Sequence, residues 1–249
     1  ADFKFANMAS VHRFYQDPYI IASLKLSILS CSITTILCMI VAIPLGYMMS
    51  RFQFFGKSIL DIFLDIPIML PPIVVGIGLT ILFNTEAYLG IEKFLQSLFP
   101  KLDIKINPTF TVAGVILAQF MVSCAFAIRT MRTTYDEISH RQEHVALTLG
   151  CSKGQAFINV ILPQTKRGII AAATIAWARS LGEFGPLLIF AGTTRMKTEV
   201  LSTTVYLEFQ NGNLEMATTV SILMVVTASI ILFIMRTFGQ TPNQSLKGE

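Results

Sequence analysis

Residues 143–163 read EHVALTLGCSKGQAFINVILP, a polar segment between apolar stretches that are long enough to cross a membrane. Its first seven residues predict a short helix on which three apolar positions lie close together: Val145, Ala146 and Leu149. Gly150 favours the positive φ that ends a helix, Ser152 is placed to cap a following turn, and Pro163 ends the segment. Two short helices around a glycine turn form a compact surface, here called the knob (residues 143–163). Such a surface suits docking into a groove of another protein.

The composition indicates a membrane protein. Of the 249 residues, 53% are hydrophobic and only 14% are charged, and the mean hydropathy is +0.63. These values lie far from those of an average soluble domain. We therefore predict an all-α, polytopic membrane protein with one transmembrane domain in a lipid bilayer. The net charge is only +4 and the basic residues lie near the ends of apolar segments, so nucleic acid is not expected as a partner.

The cysteines and histidines do not suggest a metal site. None of the four cysteines has CxxC or Cys/His ligand spacing: Cys31, Cys38, Cys124 and Cys151. The three histidines are scattered along the chain. We therefore expect no metal and no cofactor in this chain.

Five apolar segments predict five membrane spans, at about residues 19–49, 58–83, 109–128, 168–192 and 216–235. Small polar residues in the first span favour close helix packing: Ser27, Ser30, Ser32, Thr34 and Thr35. Residues 84–108 predict a loop with an interfacial helix, and residues 193–215 a polar loop. The segment 1–18 and the tail after Arg236 are polar. Whether a further helix precedes Ala1 stays open.

The second span is unusual because it combines carboxylates with helix-breaking residues. Asp61 and Asp65 lie four residues apart near its start. Residues that break or destabilise a helix follow: Pro67, Pro71, Pro72, Gly76 and Gly78. Prolines free backbone groups that must face protein or water, which is typical of broken helices beside a transport pathway. A kinked packing helix is the alternative.

The fourth span contains two ionisable residues in an apolar context. Arg179 and Glu183 lie at i and i+4, where one helical turn brings them together as an ion pair. Gly182, Gly185 and Pro186 bracket the glutamate, so the helix can bend there. Two interpretations stay open: a hinge or gate that lines the pathway, or an ion pair that fixes helix packing.

The distribution of positive charge gives an orientation. Ten basic residues flank the spans on the side of the knob: Arg51, Lys57, Arg129, Arg132, Arg141, Lys153, Lys166, Arg167, Arg236 and Lys247. Eight lie on the other side: Lys4, Arg13, Lys25, Lys93, Lys101, Lys105, Arg195 and Lys197. The positive-inside rule then predicts a cytoplasmic knob and C-terminus and an outer N-terminus, in the cell (inner or plasma) membrane.

The knob resembles the EAA loop of permease subunits of ABC importers, whose signature is roughly EAA, three residues, Gly, nine residues and I-x-LP. Gly150 matches the glycine, Val160 takes the isoleucine position, and Leu162 and Pro163 close the motif. The front differs, because His144 and Val145 stand where Glu and the first Ala are expected. The resemblance implies an ATPase-coupling role for ten residues: Glu143, His144, Val145, Ala146, Leu149, Gly150, Cys151, Ser152, Leu162 and Pro163.

Two further stretches narrow the resemblance to molybdate and tungstate permeases of the ModB type. These are LPPIVVGIGL, residues 70–79, and LGEFGPLLIFAG, residues 181–192. Pro186 departs from the pattern, which usually has a small residue there. The resemblance, with the broken spans, makes nine residues candidates for the pathway or gate: Pro67, Pro71, Pro72, Gly76, Arg179, Gly182, Glu183, Phe184 and Gly185.

The resemblance implies a type I ABC importer permease fold with about five to six transmembrane helices. It also implies a homodimer, two ABC ATPase subunits and an external substrate-binding protein. The sequence contains no GxxxxGK[ST] phosphate loop, so a partner must bind ATP and Mg²⁺. The chain itself is then not an enzyme.

Several alternatives accompany this prediction. Asp61, Asp65 and Glu183 would be the acid/base groups or metal ligands of an intramembrane enzyme, but no His or Cys lies at ligand spacing beside them. A passive channel would have no need of the knob. Within importers, sulfate, thiosulfate or ferric iron are alternative substrates to molybdate and tungstate.

Overall fold

The structure, a computed structural model, describes residues 17–86, 88, 90 and 107–239, and all regular secondary structure in these ranges is helical. The helices are α1 (Pro18–Arg51), α2 (Lys57–Met69), α3 (Pro72–Asn84), α4 (Val112–Asp136), α5 (His140–Thr148), α6 (Lys153–Ala156), α7 (Leu162–Gln164), α8 (Lys166–Leu181), α9 (Leu201–Gln210) and α10 (Leu214–Gly239). Two π-helical turns, Phe157–Ile161 and Leu187–Ala191, follow α6 and α8. The predicted all-α class is confirmed.

Helix α1 is the longest element, and its start follows from local chemistry. The Asp17 carboxylate accepts a hydrogen bond from the Tyr19 amide at 2.9 Å, and Pro18 occupies the first turn, where its missing N–H is not needed. Pro44 lies inside the helix, which continues to Arg51. The helix therefore runs slightly beyond the predicted span 19–49 at both ends.

Helices α1, α4 and α8 pack together at the centre of the molecule. The small polar residues of α1 face this centre, and the Thr34 hydroxyl donates to Oε1 of Gln119 on α4 at 3.2 Å. A Cβ at Gly46 would lie 2.8 Å from Cβ of Met131, so a glycine is needed where α1 and α4 cross. The close packing predicted from the small residues of the first span is confirmed.

The second predicted span is two helices that meet at a bend of 114°. The bend falls at Leu70 and Pro71, between α2 and α3, because Pro72 begins a new helix at its first position. Pro67 lies inside α2 and does not end it. Residues 71 and 72 therefore account for the interruption, and no residue of α2 is buried.

The fourth predicted span, 168–192, is not one helix. Helix α8 ends at Leu181, an irregular stretch follows, and the chain then forms the π-helical turn Leu187–Ala191. Gly192 leaves this turn with a φ of +69°, a conformation that glycine adopts without strain. We call residues 182–192 the break. It lies toward the end of the molecule opposite the knob.

Two other expectations need correction. Residues 193–215, predicted as a polar loop, contain helix α9. Its residues Leu201, Thr203 and Thr204 are buried and do not face water. The third predicted span, 109–128, extends to Asp136 as α4. Arg129 and Arg132 therefore lie on the helix and do not follow it.

Helices α1, α4 and α10 are each long and apolar enough to cross a membrane, and the bent α2–α3 pair is a fourth candidate among the described residues. The remaining predicted span corresponds to α8 and the break. Only 11% of the apolar window of α10 is buried in the isolated chain, as expected for a helix that faces lipid. The predicted interfacial helix within 84–108, most of the N-terminal segment 1–18 and the end of the tail lie largely outside the described residues.

Candidate functional site

The knob is built from short helices with well-formed ends. Helix α5 begins after Ser139, whose hydroxyl accepts from the Arg141 amide at 3.4 Å. The helix ends in a pair of bonds from the Gly150 and Cys151 amides to the Leu147 and Ala146 carbonyls, both 3.1 Å. This is the Schellman arrangement of a helix C-terminus. Gly150 has a φ of +92°, as the glycine turn predicted from the sequence requires.

The second half of the knob begins with a capping box. The Ser152 hydroxyl accepts from the Gln155 amide at 3.3 Å, and Oε1 of Gln155 accepts from the Ser152 amide at 2.8 Å. The capping role predicted for Ser152 is thereby confirmed. Pro163 does not end the segment, because it lies within the short helix α7. The two halves are thus joined by a turn in which the backbone groups are satisfied.

One face of the knob is largely exposed among the described residues. The side chains of Val145, Leu149 and Ile158 are 57%, 80% and 60% exposed, while Ala146, Ala156 and Ile161 are buried beneath them. His144, Ser152 and Pro163 are also exposed, whereas Cys151 and Leu162 are partly buried. Apolar anchors in a polar rim are the arrangement expected of a docking surface.

Unlike the exposed residues of the knob, the Glu143 side chain points toward α1. Its Oε1 accepts a hydrogen bond from the Tyr47 hydroxyl at 2.5 Å, and its Oε2 lies 3.5 Å from Nε of Arg51. Sequence reasoning missed Tyr47 and Arg51. Their spacing of i and i+4 at the end of α1 was the available signal.

Aromatic rings fill the space between α1 and the knob. The Tyr47 ring lies 4.6 Å from the Phe157 ring, 5.5 Å from the Tyr135 ring and 6.1 Å from the Phe52 ring, measured between centroids. The Lys153 ammonium lies 5.9 Å from the centre of the Phe52 ring. Both halves of the knob therefore rest on the end of α1.

The second candidate region forms where α3 meets the break. A Cβ at Gly76 would lie 2.8 Å from Cα of Pro186, and a Cβ at Gly185 would lie 2.9 Å from the Ile73 nitrogen. Backbone therefore packs directly against backbone, which only glycine permits. The structure brings together Pro72, Gly76 and Gly185 from the set of pathway candidates. Pro67 lies inside α2, before the bend that leads to this junction.

Arg179 and Glu183 form the predicted ion pair, with Nη1 and Oε2 at 3.3 Å. The Glu183 side chain is 1% exposed, and its carbonyl accepts from the Ser202 hydroxyl at 2.7 Å. The Arg179 guanidinium lies 5.6 Å from the Phe126 ring centre. These contacts join α8 to α4 and α9. Whether they also form a gate stays a prediction.

Phe184 lines a cavity between the break and the last two helices. Its ring lies 5.0 Å from the Tyr206 ring, and the cavity has a volume of about 500 Å³. The walls are largely apolar and come from α9 and α10: Ser202, Val205, Tyr206, Phe209, Leu214, Ala217, Thr218 and Ser221. Gly182 borders an adjoining cavity of about 400 Å³.

The carboxylates of the second span have basic partners that the sequence did not reveal. Asp61 lies 2.5 Å from Nη1 of Arg132, and Asp65 contacts Arg129. These pairs join α2 to α4. Within the described ranges no group of three His, Cys, Asp or Glu residues could hold a metal ion.

A buried carboxylate lies in the loop before α9. The Glu199 side chain is 3% exposed, and neither carboxylate oxygen has a well-aligned hydrogen bond from the described residues. Burial raises the pKa of this carboxyl above its usual range, and the nearby Thr204 hydroxyl and Arg195 guanidinium oppose the shift. Arg195 itself pairs with Glu208 at 2.7 Å.

Comparison with known proteins identifies relatives of this arrangement. Residues 42–240 match the family described as binding-protein-dependent transport system inner membrane component. The sulfate transport system permease protein CysT of Escherichia coli is 29% identical over 221 residues, which cover 89% of this chain and 77% of that protein. The molybdate/tungstate transport system permease protein WtpB of Pyrococcus abyssi is 35% identical over 175 residues, or 70% of this chain and 62% of the relative.

A solved structure shares the fold. A chain in the crystal structure of a bacterial alginate ABC transporter, in complex with an alginate pentasaccharide-bound periplasmic protein, superposes with a TM-score of 0.74. The match covers 92% of this chain and 81% of that chain at 18% sequence identity. At this identity the likeness concerns the fold alone.

Proposed function

This chain belongs to the family of binding-protein-dependent transport system inner membrane components, and we propose that it is the permease subunit for a tetrahedral oxyanion, molybdate or tungstate. Family membership makes it a membrane-spanning component of an ABC importer. Such a component works with an ATPase and a binding protein and is not itself an enzyme.

The geometry of the knob is the observation that carries the coupling role. Its turn is fixed by the Schellman bonds at Gly150 and the capping box at Ser152, and its exposed face presents Val145 and Leu149. A preformed apolar face loses little conformational entropy on docking. We propose that this face inserts into a groove of the ABC ATPase. ATP and Mg²⁺ then bind to that partner, since the sequence has no phosphate-binding loop.

The assembly we propose contains two copies of this chain and two ATPase subunits. The positive charges around the knob support a cytoplasmic location for it, with the N-terminus outside and the C-terminus inside. Closure of the ATPase subunits around ATP would pull on both knobs and tilt the helices attached to them. The pathway would then open alternately to the binding protein outside and to the cytoplasm.

The choice of substrate rests on the two stretches that meet at the break. LPPIVVGIGL and LGEFGPLLIFAG carry the ModB-type resemblance, and Gly76 of the first contacts Pro186 of the second. The named relatives transport sulfate in one case and molybdate or tungstate in another, which supports an oxyanion. Sulfate or thiosulfate is the alternative substrate. Basic residues are scarce within the spans, so we expect the binding protein to set most of the specificity.

ATPase activity of the reconstituted complex tests the substrate. The chain, its ATPase and the binding protein are assembled in liposomes, and hydrolysis is measured with molybdate, tungstate, sulfate and thiosulfate. Stimulation by molybdate or tungstate alone is the expected result. Stimulation by sulfate alone keeps the importer and replaces the substrate.

A variant at the turn tests the docking role. Gly150→Pro removes the amide that donates to Leu147, and Gly150→Glu forces a side chain into a positive-φ position. We expect both variants to lose the ATPase on co-purification. If assembly and transport survive in both, the knob is not the docking element.

A further inference from the structure

The knob is connected to the membrane helices in two ways. The chain itself joins it to α4 through Asp136 and to α8 through Thr165. A cluster of side chains joins it to α1, although Tyr47 and Glu143 are 96 residues apart in the sequence. The sequence motif of the knob contains no residue of α1, so the motif alone does not indicate this second connection.

We propose that Tyr47 and Arg51 are positioning residues that transmit movement of the knob to α1 through Glu143. The proposal rests on the proposed function, because it assumes that an ATPase moves the knob. It adds the route by which that movement reaches the membrane helices.

The charged part of the cluster is shielded from water. The side chains of Arg51 and Glu143 are 3% and 14% exposed. In such surroundings an ion pair is screened less than at a surface, so separating the two charges is unfavourable. Nη2 of Arg51 also donates to the Ile138 carbonyl at 2.8 Å. The guanidinium therefore holds both the start of α5 and the linker that precedes it.

Tyr47 contacts both halves of the knob. Its hydroxyl donates to Glu143 on α5, and its ring packs on Phe157, which follows α6. A displacement of either half would therefore press on the same side chain of α1. The capped turn between the halves keeps them in a fixed relation, so the knob acts as one body.

Helix α1 extends from this cluster to the other end of the molecule. Between Ser27 and Tyr47 it spans about 30 Å at the rise of an α-helix. There the Ser27 hydroxyl accepts from the Leu201 amide of α9 at 2.8 Å, and the neighbouring Ser202 hydroxyl donates to the Glu183 carbonyl in the break. Contacts thus continue from the knob along α1 to the region of the pathway candidates.

The test compares the ATP hydrolysed with the oxyanion imported in the reconstituted complex. Tyr47→Phe is the main variant, because it removes one hydroxyl and leaves the ring packing in place. We expect it to raise the ATP consumed per oxyanion about five- to tenfold, the lower end of the range of typical couplings between sites. Arg51→Gln should do the same. The double variant Tyr47→Phe/Glu143→Gln should have the same ratio of ATP to oxyanion as Glu143→Gln alone, because both substitutions break the same connection between the knob and α1.

Ser50→Ala provides the matched control. The Ser50 hydroxyl donates to the Asp136 carboxylate at 2.5 Å, so this contact also joins the ends of α1 and α4, but neither side chain belongs to the knob. The control should keep the wild-type ratio of ATP to oxyanion. A ratio that rises equally in the control would assign the effect to general loosening of the helix ends and would overturn the proposal.

The remaining outcomes separate this inference from the proposed function. If Tyr47→Phe and Arg51→Gln keep the wild-type ratio, or if they lower hydrolysis and import in parallel by reducing the amount of complex, the cluster is only a folding contact. The importer assignment would survive that result. If the wild-type chain fails to bind an ATPase, the proposed function falls and the inference falls with it.

Discussion

The knob and the break both interrupt helices at glycine, but for different physical reasons. Gly150 has a φ of +92° and nothing within 4 Å of where its Cβ would stand, so its requirement is conformational. Gly76 and Gly185 are needed because another backbone occupies the space of a side chain. Gly150 thus needs to be glycine for its backbone conformation, whereas Gly76 and Gly185 need to be glycine for the contact between α3 and the break. Substitutions that change only one of these properties should separate the two regions.

The largest effect is expected where backbones touch. Gly76→Ala places a methyl group 2.8 Å from Cα and 3.1 Å from the carbonyl oxygen of Pro186, and neither backbone atom can rotate away. We expect destabilisation of about 3 kcal/mol, the upper end of typical overpacking. The midpoint of thermal unfolding of the purified protein measures it.

Gly78→Ala is the matched control on the same helix. Gly78 has no atom within 4 Å of its Cβ position, and alanine favours the helix over glycine by up to about 1 kcal/mol. The control should therefore unfold at the same temperature or slightly higher. Equal losses in both variants would contradict the contact between α3 and the break.

A smaller effect is expected at the turn of the knob. Gly150→Ala raises the free energy of the native turn by about 1–2 kcal/mol, because an alanine is strained at positive φ. The knob lies outside the packed centre and can change shape without unfolding the bundle. We therefore expect ATPase binding to weaken by about tenfold, with little change in the unfolding temperature.

A Gly150→Asn variant tests whether the positive φ at this position is what matters. Gly150→Asn should retain more ATPase than Gly150→Ala, since asparagine tolerates the left-handed conformation better than alanine does. Binding is measured by titrating the purified ATPase subunit. If alanine and asparagine weaken binding equally, the φ angle is not what the knob requires.

Glu199, in the loop after the break, gives a prediction for pH. Burial raises the pKa of this carboxyl in the folded state. The contribution of Glu199 to the stability of the fold is therefore fully present below the ordinary pKa of glutamate, and it is lost as the pH rises through the raised pKa. Glu199→Gln should therefore match the wild type near about pH 4 and become more stable than it toward about pH 8. The unfolding temperature is compared across this range.

The charges around Glu199 set the control. Arg195, Glu208 and Asp17 act on this carboxyl from the loop, α9 and the start of α1. Glu208→Gln removes a neighbouring negative charge that raises the pKa of Glu199, and it should reduce the pH dependence without abolishing it. A Glu199→Gln variant with the same pH profile as the wild type would contradict a pKa of Glu199 that burial raises.

The smallest effect is expected at Gly182, which satisfies neither requirement. Its φ of −77° suits any residue, and the nearest atom to its Cβ position is 3.7 Å away. Gly182→Ala should be neutral or stabilise by up to about 0.5 kcal/mol. A strong loss of transport with normal stability would instead make Gly182 a hinge, as the sequence suggested.

Local patterns predicted from the sequence agree best with the structure where the cause is local. The turn at Gly150, the cap at Ser152 and the pair of Arg179 with Glu183 each depend on residues within a few positions. Contacts between distant segments were missed: Asp61 with Arg132, and Glu143 with Arg51. Nothing in one segment indicates which helix will face it.

Two helix boundaries were missed for a related reason. Helix α9 carries so many hydroxyl groups that its segment resembles a polar loop, yet Thr203 and Thr204 are buried because their hydroxyls bond to the Val200 carbonyl. The break was placed within one span because its composition is apolar, although Gly182, Gly185 and Pro186 indicated that the helix can bend there. Hydrophobicity predicts burial, but it does not report the backbone geometry that Gly185 and Pro186 impose.

Site-specific photo-cross-linking tests the central claim, that the knob docks on an ABC ATPase. A photoreactive phenylalanine derivative replaces Leu149, which is 80% exposed on the knob, or Phe110, which is 63% exposed before the first residue of α4. Phe110 lies just before the start of α4, and the knob with Leu149 follows the other end of this helix, which is about 37 Å long. In membranes that contain the whole complex, we expect a cross-link to the ATPase from position 149 and none from position 110. No cross-link from position 149, or an ATPase cross-link from position 110, would contradict it.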